Sequence, residues 1–189
     1  MKLVARIARR LGVPFVDLKA VVRGNVSWGR SVYVAPGAEL LATGPHERIS
    51  RRDGCRVHQG VLMHYYGGQI RVGNHVGVNP YYVLFGHGGL HIGDHVMIAT
   101  GCVLIPANHR SDRRDLPMQY QGLSCQGIRI EDDVWLGARL VVLDGVTIGR
   151  STVTGAGAVV ARDIPSGAIA VGVPARAVRR RPDLRLDAA

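Results

Sequence analysis

The chain has 189 residues, enough for one domain of ordinary size or for two very small ones. Hydrophobic residues make up 47% of the sequence and charged residues 20%, a composition that excludes an intrinsically disordered polymer. The formal net charge of +10 requires that an anionic partner be considered, although coding bias toward arginine would give the same excess. No apolar run reaches the ~20 residues that a membrane-spanning helix needs.

The first eleven residues predict a short basic amphipathic helix. Gly12 and Pro14 end the pattern. Four aliphatic side chains share one helical face: Leu3, Val4, Ile7 and Leu11. Two roles fit such a helix, a cap on the fold or a weak peripheral contact of residues 1–11 with anionic lipid.

The cysteine content predicts a reducing compartment. Cys55, Cys102 and Cys125 are odd in number and include no C-x-x-C pair, so their spacing indicates neither a disulfide framework nor a zinc site. The start of the chain also lacks the continuous apolar stretch of a secretory signal. We therefore expect a cytoplasmic protein, with a peripheral position at the inner face of the membrane left open.

A six-residue repeat is the strongest pattern in the sequence. Every sixth residue from Ile92 to Leu104 and from Ile130 to Val160 is Ile, Leu or Val, with Thr154 as the exception. Six residues is the length of a short strand plus a tight turn, so three repeats make one triangular coil of eighteen residues. Because the repeated side chains point inward and stack from coil to coil, the sequence predicts an all-β parallel solenoid.

Three irregularities interrupt the repeat. The step of 20 residues from Val72 to Ile92 predicts a bulged corner at residues 85–89, and the polar segment 43–56 predicts a loop or an irregular coil. Residues 110–129 have no period and predict a protruding loop, a feature that is usually functional in a compact repeat. We expect a helix and lead-in segment at 1–24, the solenoid at 25–175, a basic cap or tail at 176–189, and short terminal helices.

Five motifs carry a resemblance to a known family: Ile92-Gly93-Asp94-His95-Val96, Asp133-Val134-Trp135-Leu136-Gly137-Ala138, Asp144-Gly145-Val146-Thr147-Ile148-Gly149, Gly155-Ala156-Gly157-Ala158-Val159-Val160 and Gly172-Val173-Pro174-Ala175-Arg176. With them the chain resembles the hexapeptide-repeat acyltransferases, above all the sugar O-acetyltransferases of the maltose and galactoside type. The resemblance implies a left-handed parallel β-helix. Without the resemblance, the general rule would predict a right-handed coil, because parallel crossovers are right-handed in nearly all proteins.

The resemblance also implies an activity and a catalytic pair. It implies an acetyl-CoA-dependent O-acetyltransferase that acts on a sugar hydroxyl, in a cell-surface polysaccharide or its precursor, and a homotrimer with active sites between subunits. His109 matches the family's general base, and an imidazole suits that role because its ordinary pKa is near 6.5. Asn79 matches the active-site asparagine that contacts acceptor and cofactor.

The residues that the resemblance assigns to acetyl-CoA follow the loop in sequence: Trp135, Ala138, Ala156, Ala161, Arg162, Arg176 and Arg179. Ala138 stands where some relatives have a serine thought to stabilise the oxyanion, which leaves a backbone N–H or water for that role. No metal ion is expected, because His87, His91 and His95 are spaced by four residues and therefore fall on different corners of a six-residue repeat.

Several other functions stay open from the sequence. A xenobiotic O-acetyltransferase has a similar Asn-His-Arg segment but a longer loop, and an amino-sugar N-acyltransferase is a further enzyme alternative. A nucleic-acid-binding protein would fit the positive charge, but we expect none because aromatic residues are few and no binding motif is present. A catalytically inactive structural β-helix also fits. The acceptor itself cannot be inferred from the sequence.

Overall fold

The computed structural model describes residues 2–44 and 48–182, and its architecture is a β-solenoid. After helix α1 (Lys2–Leu11), the chain winds through short strands that stack into three parallel sheets, here named A, B and C. Sheet B has seven strands, one for each of about seven turns. The all-β parallel solenoid expected from the six-residue repeat is therefore confirmed.

The strands of the described residues fall into four sets. Sheet A contains β1 (Phe15–Val16), β4 (Tyr33–Val34), β7 (Arg56–Val57), β10 (Gly77–Val78), β13 (Met97–Ile98), β18 (Trp135–Leu136), β21 (Val153–Thr154), β23 (Ala168–Val171) and β24 (Arg176–Arg180). Sheet B contains β2 (Val21–Gly24), β5 (Glu39–Ala42), β8 (Leu62–His64), β11 (Val83–Phe85), β14 (Val103–Leu104), β19 (Val141–Val142) and β22 (Val159–Val160). Sheet C contains β3 (Val26–Ser27), β6 (Arg48–Arg51), β9 (Gln69–Val72), β12 (Leu90–Ile92), β17 (Ile128–Ile130) and β20 (Thr147–Ile148). An antiparallel pair, β15 (Asn108–His109) and β16 (Leu123–Ser124), and a 3-10 turn at Met118–Tyr120 belong to the long loop.

The repeated positions form the core, as the sequence predicts. All nine side chains of the two runs that begin at Ile92 and Ile130 are at most 2% exposed. Burial of an aliphatic side chain of this size contributes ~1.5–3 kcal/mol, so the stacked column is the main source of stability. Thr154, the polar exception, donates its hydroxyl to the carbonyl of Trp135 at 3.2 Å, which satisfies a group that would otherwise be costly to bury.

All the irregularity of the solenoid lies at one corner. We name the corners A/B, B/C and C/A after the sheets they connect. We count the step across a corner as the number of residues along the chain from an inward-facing residue of one sheet to the corresponding residue of the next sheet. The A/B and C/A steps are always six residues. The B/C step varies from four to twenty-six residues: Leu40 to Arg51, Met63 to Val72, Leu84 to Ile92, Leu104 to Ile130, Val142 to Ile148, and Val160 to Ile164.

The irregular segments predicted from the sequence map to this B/C corner, except that residues 52–56 of the polar segment form a regular C/A step. The bulge at residues 85–89 supplies the two extra residues of its coil. The polar segment 43–56 is an irregular coil that contains β6, although residues 45–47 lie outside the described part. The long loop ends slightly earlier than expected, because residues 128 and 129 already pair with β12 in sheet C.

Both ends of the solenoid differ from expectation. The first coil begins at Phe15, which pairs with Tyr33 and stacks on its ring at a centroid distance of 5.7 Å, so the expected start at residue 25 is too late. Residues 176–180 form strand β24, antiparallel to β23, rather than a helix or a loose tail. The physical reason is that β24 pairs the edge that sheet A would otherwise leave open. Residues 183–189 lie outside the described part.

Helix α1 packs on the solenoid through a small residue. Ala8 is buried, whereas Val4, Ile7 and Leu11 are exposed, so the apolar face is not covered within this chain. Among the described residues, no helix has the length and apolar character needed to cross a bilayer. Contact of residues 1–11 with anionic lipid stays a prediction.

Candidate active site

His109 lies at the root of the long loop that leaves the B/C corner. The two arms of the loop pair as β15 and β16, with Asn108 opposite Ser124 and His109 opposite Leu123. The His109 side chain is exposed, and its imidazole has no hydrogen-bond partner among residues 2–44 and 48–182. An imidazole with a free nitrogen at an accessible position can take a proton from a substrate hydroxyl.

Polar contacts within the loop hold its arms together. The side-chain amide of Gln121 donates to the carbonyls of Arg113 and Leu116, both at 2.7 Å, and its oxygen accepts the Arg113 N–H at 3.0 Å. Arg113 also pairs with Asp115, and this side-chain hydrogen bond is the main reason that the pKa of Asp115 is lowered. These contacts fix the shape of the loop that carries His109.

Asn79 lies at the A/B corner, where β10 leads toward β11. Its side chain donates Nδ2–H to the carbonyl of Ile98 in the next coil at 2.8 Å, which leaves the amide oxygen free to accept a hydrogen bond. It borders a shallow cleft of about 320 Å³ on sheet A, together with Met97 and Trp135. Met97 is 59% exposed and Trp135 is 48% exposed, so this cleft has an apolar wall open to solvent.

The two predicted catalytic residues do not meet within one chain. His109 lies at the B/C corner and Asn79 at the A/B corner, so the whole of sheet B separates them. An active site that uses both residues therefore requires a second copy of the chain.

The predicted cofactor residues also fall into two groups. Trp135 projects outward from sheet A, and Ala138 and Ala156 stack at the A/B corner, where the Gly157 N–H donates to the Ala138 carbonyl at 2.7 Å. At the C-terminal end, Arg176 pairs with Val171 and Arg179 with Ile169, which places both arginines on the edge of sheet A. Ala161 and Arg162 instead follow β22 at the B/C corner, on the same corner as His109.

The backbone N–H of Ala138 is available to donate a hydrogen bond to a ligand. Its neighbours Gly137 and Arg139 donate to the carbonyls of Thr154 and Thr100, whereas the N–H of Ala138 donates to no group in the described residues. A backbone N–H of this kind can stabilise an oxyanion without a side-chain hydroxyl.

The histidines do not gather into a metal site in the described part of the chain. His87 lies at the B/C corner, His91 on sheet C and His95 at the C/A corner, and no cluster of three metal-binding side chains occurs in 2–44 or 48–182. His75 and His95 adopt positive φ angles of 55° and 58° and stack at a centroid distance of 5.1 Å. Histidine tolerates this left-handed conformation better than most residues, which explains these two positions structurally.

Two columns of outward-facing side chains, each in register on successive strands of one sheet, were not predicted from the sequence. On sheet B five successive outward positions in register are aliphatic, namely Leu62, Val83, Val103, Val141 and Val159, and the next position in register, on β5, is Glu39. On sheet C, Arg71, His91 and Arg129 occupy three successive strands and border a cavity of about 690 Å³. The signal was present in the sequence, because each of these residues directly precedes an inward-facing residue of its repeat.

The solenoid with its corner loop defines a class of protein built from hexapeptide repeats. Residues 127–162 match the family model described as bacterial transferase hexapeptide (six repeats). A hexapeptide-repeat-containing acetyltransferase of Vibrio cholerae is 36% identical, with a TM-score of 0.59, over 64% of this chain and 68% of that one. The chain therefore belongs to the hexapeptide-repeat acetyltransferase family. A second structure of the Vibrio cholerae protein is a complex with acetyl coenzyme A.

Two curated relatives extend the comparison. The "Probable acetyltransferase" of Mycobacterium tuberculosis is 34% identical over 178 residues, which are 93% of this chain and 57% of the relative. The galactoside O-acetyltransferase of Escherichia coli is 35% identical over 114 residues, which are 60% of this chain and 55% of the relative. The chain thus spans little more than half the length of the curated relatives it matches.

Proposed function

We propose that the protein is an acetyl-CoA-dependent O-acetyltransferase that acts on a sugar hydroxyl of a cell-surface glycan or its precursor. The observation that carries this proposal is the unpaired, exposed imidazole of His109, held at the root of a braced loop on a solenoid of the acetyltransferase family. The galactoside O-acetyltransferase relative supports a sugar acceptor.

The proposed reaction is direct transfer. His109 takes the proton of the acceptor hydroxyl, and the resulting oxygen nucleophile attacks the thioester carbonyl carbon. The tetrahedral intermediate then collapses by breaking the carbon–sulfur bond, and the imidazolium returns its proton to the departing thiolate. The free N–H of Ala138 supplies a donor for the oxyanion, which offsets the absence of a serine at this position.

We infer that the active site forms between copies of the chain in a homotrimer. The outward column on sheet B gives an aliphatic surface about 19 Å long, at ~4.8 Å for each strand. Copies that pack sheet B toward a common threefold axis would place the A/B corner of one copy beside the B/C corner of the next. His109 and Arg162 would then face Asn79, Trp135 and Ala138 of a neighbouring copy.

This arrangement provides one groove for the acyl donor. Trp135 would border the thiol end, and Ala156, Ala161 and Arg162 would line the groove from the pantetheine to the nucleotide. Arg176 and Arg179 would meet the phosphates. A guanidinium can donate two parallel hydrogen bonds to phosphate oxygens, which suits this role. All three arginines are exposed in the single chain and therefore available to a ligand.

Two variants test the proposal with matched controls. His109→Ala should lower kcat by ~10²–10⁴-fold with CoA affinity nearly unchanged, and Arg162→Ala should raise the KM for acetyl-CoA. His95→Ala and Arg150→Ala, both at the C/A corner, should behave as wild type. The assay is thiol release from acetyl-CoA with a panel of sugars, amino sugars, nucleotide sugars and lipid-linked glycans. Wild-type turnover in His109→Ala would rule out the mechanism, and transfer to amino sugars alone would identify an N-acyltransferase instead.

A further inference from the structure

The cavity on sheet C is lined by two arginines and a histidine from three successive strands. Arg71, His91 and Arg129 lie directly in register and face outward. Because neighbouring strands are ~4.8 Å apart, this row extends over about 10 Å. The cavity that they border has a volume of about 690 Å³, and none of its lining residues is acidic.

The two guanidinium groups have no carboxylate partner among the described residues. Arg71 donates Nε–H and Nη2–H to the side-chain oxygen of Gln69 at 3.0 and 2.6 Å. Arg129 donates from Nη1 to Nδ1 of His91 at 2.9 Å. The remaining N–H groups of both arginines have no hydrogen-bond partner within residues 2–44 and 48–182, so they are available to a ligand.

His91 presents a hydrogen-bond donor to the same cavity. Since Nδ1 accepts a hydrogen bond from Arg129, the proton of the neutral ring lies on Nε2. Burial is the main cause of the lowered pKa of His91, and the nearby charges of Arg129 and Arg71 lower this pKa further. The two arginines therefore oppose a positive charge on the imidazole, and an anion bound between them would relieve this repulsion.

Glycines form much of the remaining wall, and they connect the cavity to the catalytic loop. A Cβ at Gly88 would lie 2.6 Å from the carbonyl carbon of Cys125, because the returning arm of the loop packs tightly against this turn. Gly127 has a φ of +95° and hydrogen-bonds through its N–H to Asp144 at 2.8 Å. The cavity wall at Cys125 therefore follows directly after β16, the strand that pairs with His109.

We propose that this cavity binds the diphosphate group of the acceptor, so that the acceptor is a sugar carried on a diphosphate, such as a nucleoside diphosphate sugar. This inference rests on the proposed function. Two guanidinium groups and a histidine N–H are donors that match the oxygens of two linked phosphates. Coenzyme A also contains a diphosphate, but none of its predicted contact residues lines this cavity.

Equilibrium binding at pH 7.5 tests the assignment with inorganic pyrophosphate, UDP and CoA as probes. Wild type should bind pyrophosphate and UDP, and Arg71→Gln and Arg129→Gln should each weaken both by about tenfold, the effect of losing a hydrogen bond to a charged group. CoA affinity should be unchanged in both variants, and Arg150→Gln serves as the matched surface control.

Four further outcomes would overturn or support the cavity assignment and separate it from the proposed function. Unchanged pyrophosphate and UDP affinity in the Arg71→Gln/Arg129→Gln double variant would overturn the assignment. If CoA competes with UDP and the double variant loses affinity for CoA, the assignment would also be overturned, because the cavity would then bind the acyl donor. If UDP binding is lost in the double variant but wild type acetylates no acceptor, the cavity assignment stands and the proposed function fails. If wild type acetylates neutral glycosides but binds no pyrophosphate, the function stands and this inference fails.

Discussion

Gly137 is a position where a single added methyl group should damage the solenoid. It lies at the A/B corner directly against the next coil, and an added Cβ would lie 2.6 Å from three backbone atoms, in Thr154, Gly155 and Ala156. Ordinary contacts of a Cβ are 3.4–4 Å. Because backbone atoms cannot rotate away as a side chain can, the two coils would have to separate. We expect Gly137→Ala to lower the free energy of unfolding by about 3 kcal/mol, the upper end of typical overpacking costs.

Two other glycines of the same solenoid provide matched controls. At Gly77 an added methyl group would have no atom within 4 Å, and φ is not positive, so Gly77→Ala should be neutral or stabilise by up to ~1 kcal/mol. Gly157 also has open space but a φ of +69°, so Gly157→Ala should cost about 1–2 kcal/mol from backbone strain alone. Urea unfolding followed by circular dichroism at one protein concentration measures all three. If Gly137→Ala is as stable as Gly77→Ala, the coils are not packed as described.

The two outward columns give further predictions. If the proposed trimer forms, Val141→Glu places a charge in the aliphatic column on sheet B and should convert that trimer to monomer in sedimentation velocity. Arg150→Glu, on another corner, should leave the trimer intact, and a trimeric Val141→Glu would exclude sheet B as the interface. The pKa of His91 is lower in the folded chain than its ordinary value near 6.5. As the pH falls through that ordinary value, the unfolded chain therefore takes up a proton that the folded chain does not. His91 should thus lower the free energy of unfolding at acid pH. Arg129→Gln should raise the His91 titration midpoint in NMR without restoring the ordinary value, because burial remains the main cause, and an unchanged midpoint would contradict the contact.

The sequence by itself determined the interior of this protein. Each inward position is set by a six-residue period, and that period is a local property: a short strand and a tight turn repeat whatever their distant neighbours are. The same spacing located the protruding loop and the bulge at residues 85–89. The hand of the coil and the roles of His109 and Asn79 came from the family resemblance instead.

Only the tertiary structure decided which outward residues stand side by side. The coils contain different numbers of residues, and all the difference is absorbed at the B/C corner, so the distance in sequence between neighbours is 20 from Arg71 to His91 but 38 from His91 to Arg129. The pairing of these strands is fixed by the stacking of buried side chains one coil apart, which is a long-range contact. For the same reason the separation of His109 from Asn79 by sheet B could be seen only in the folded chain.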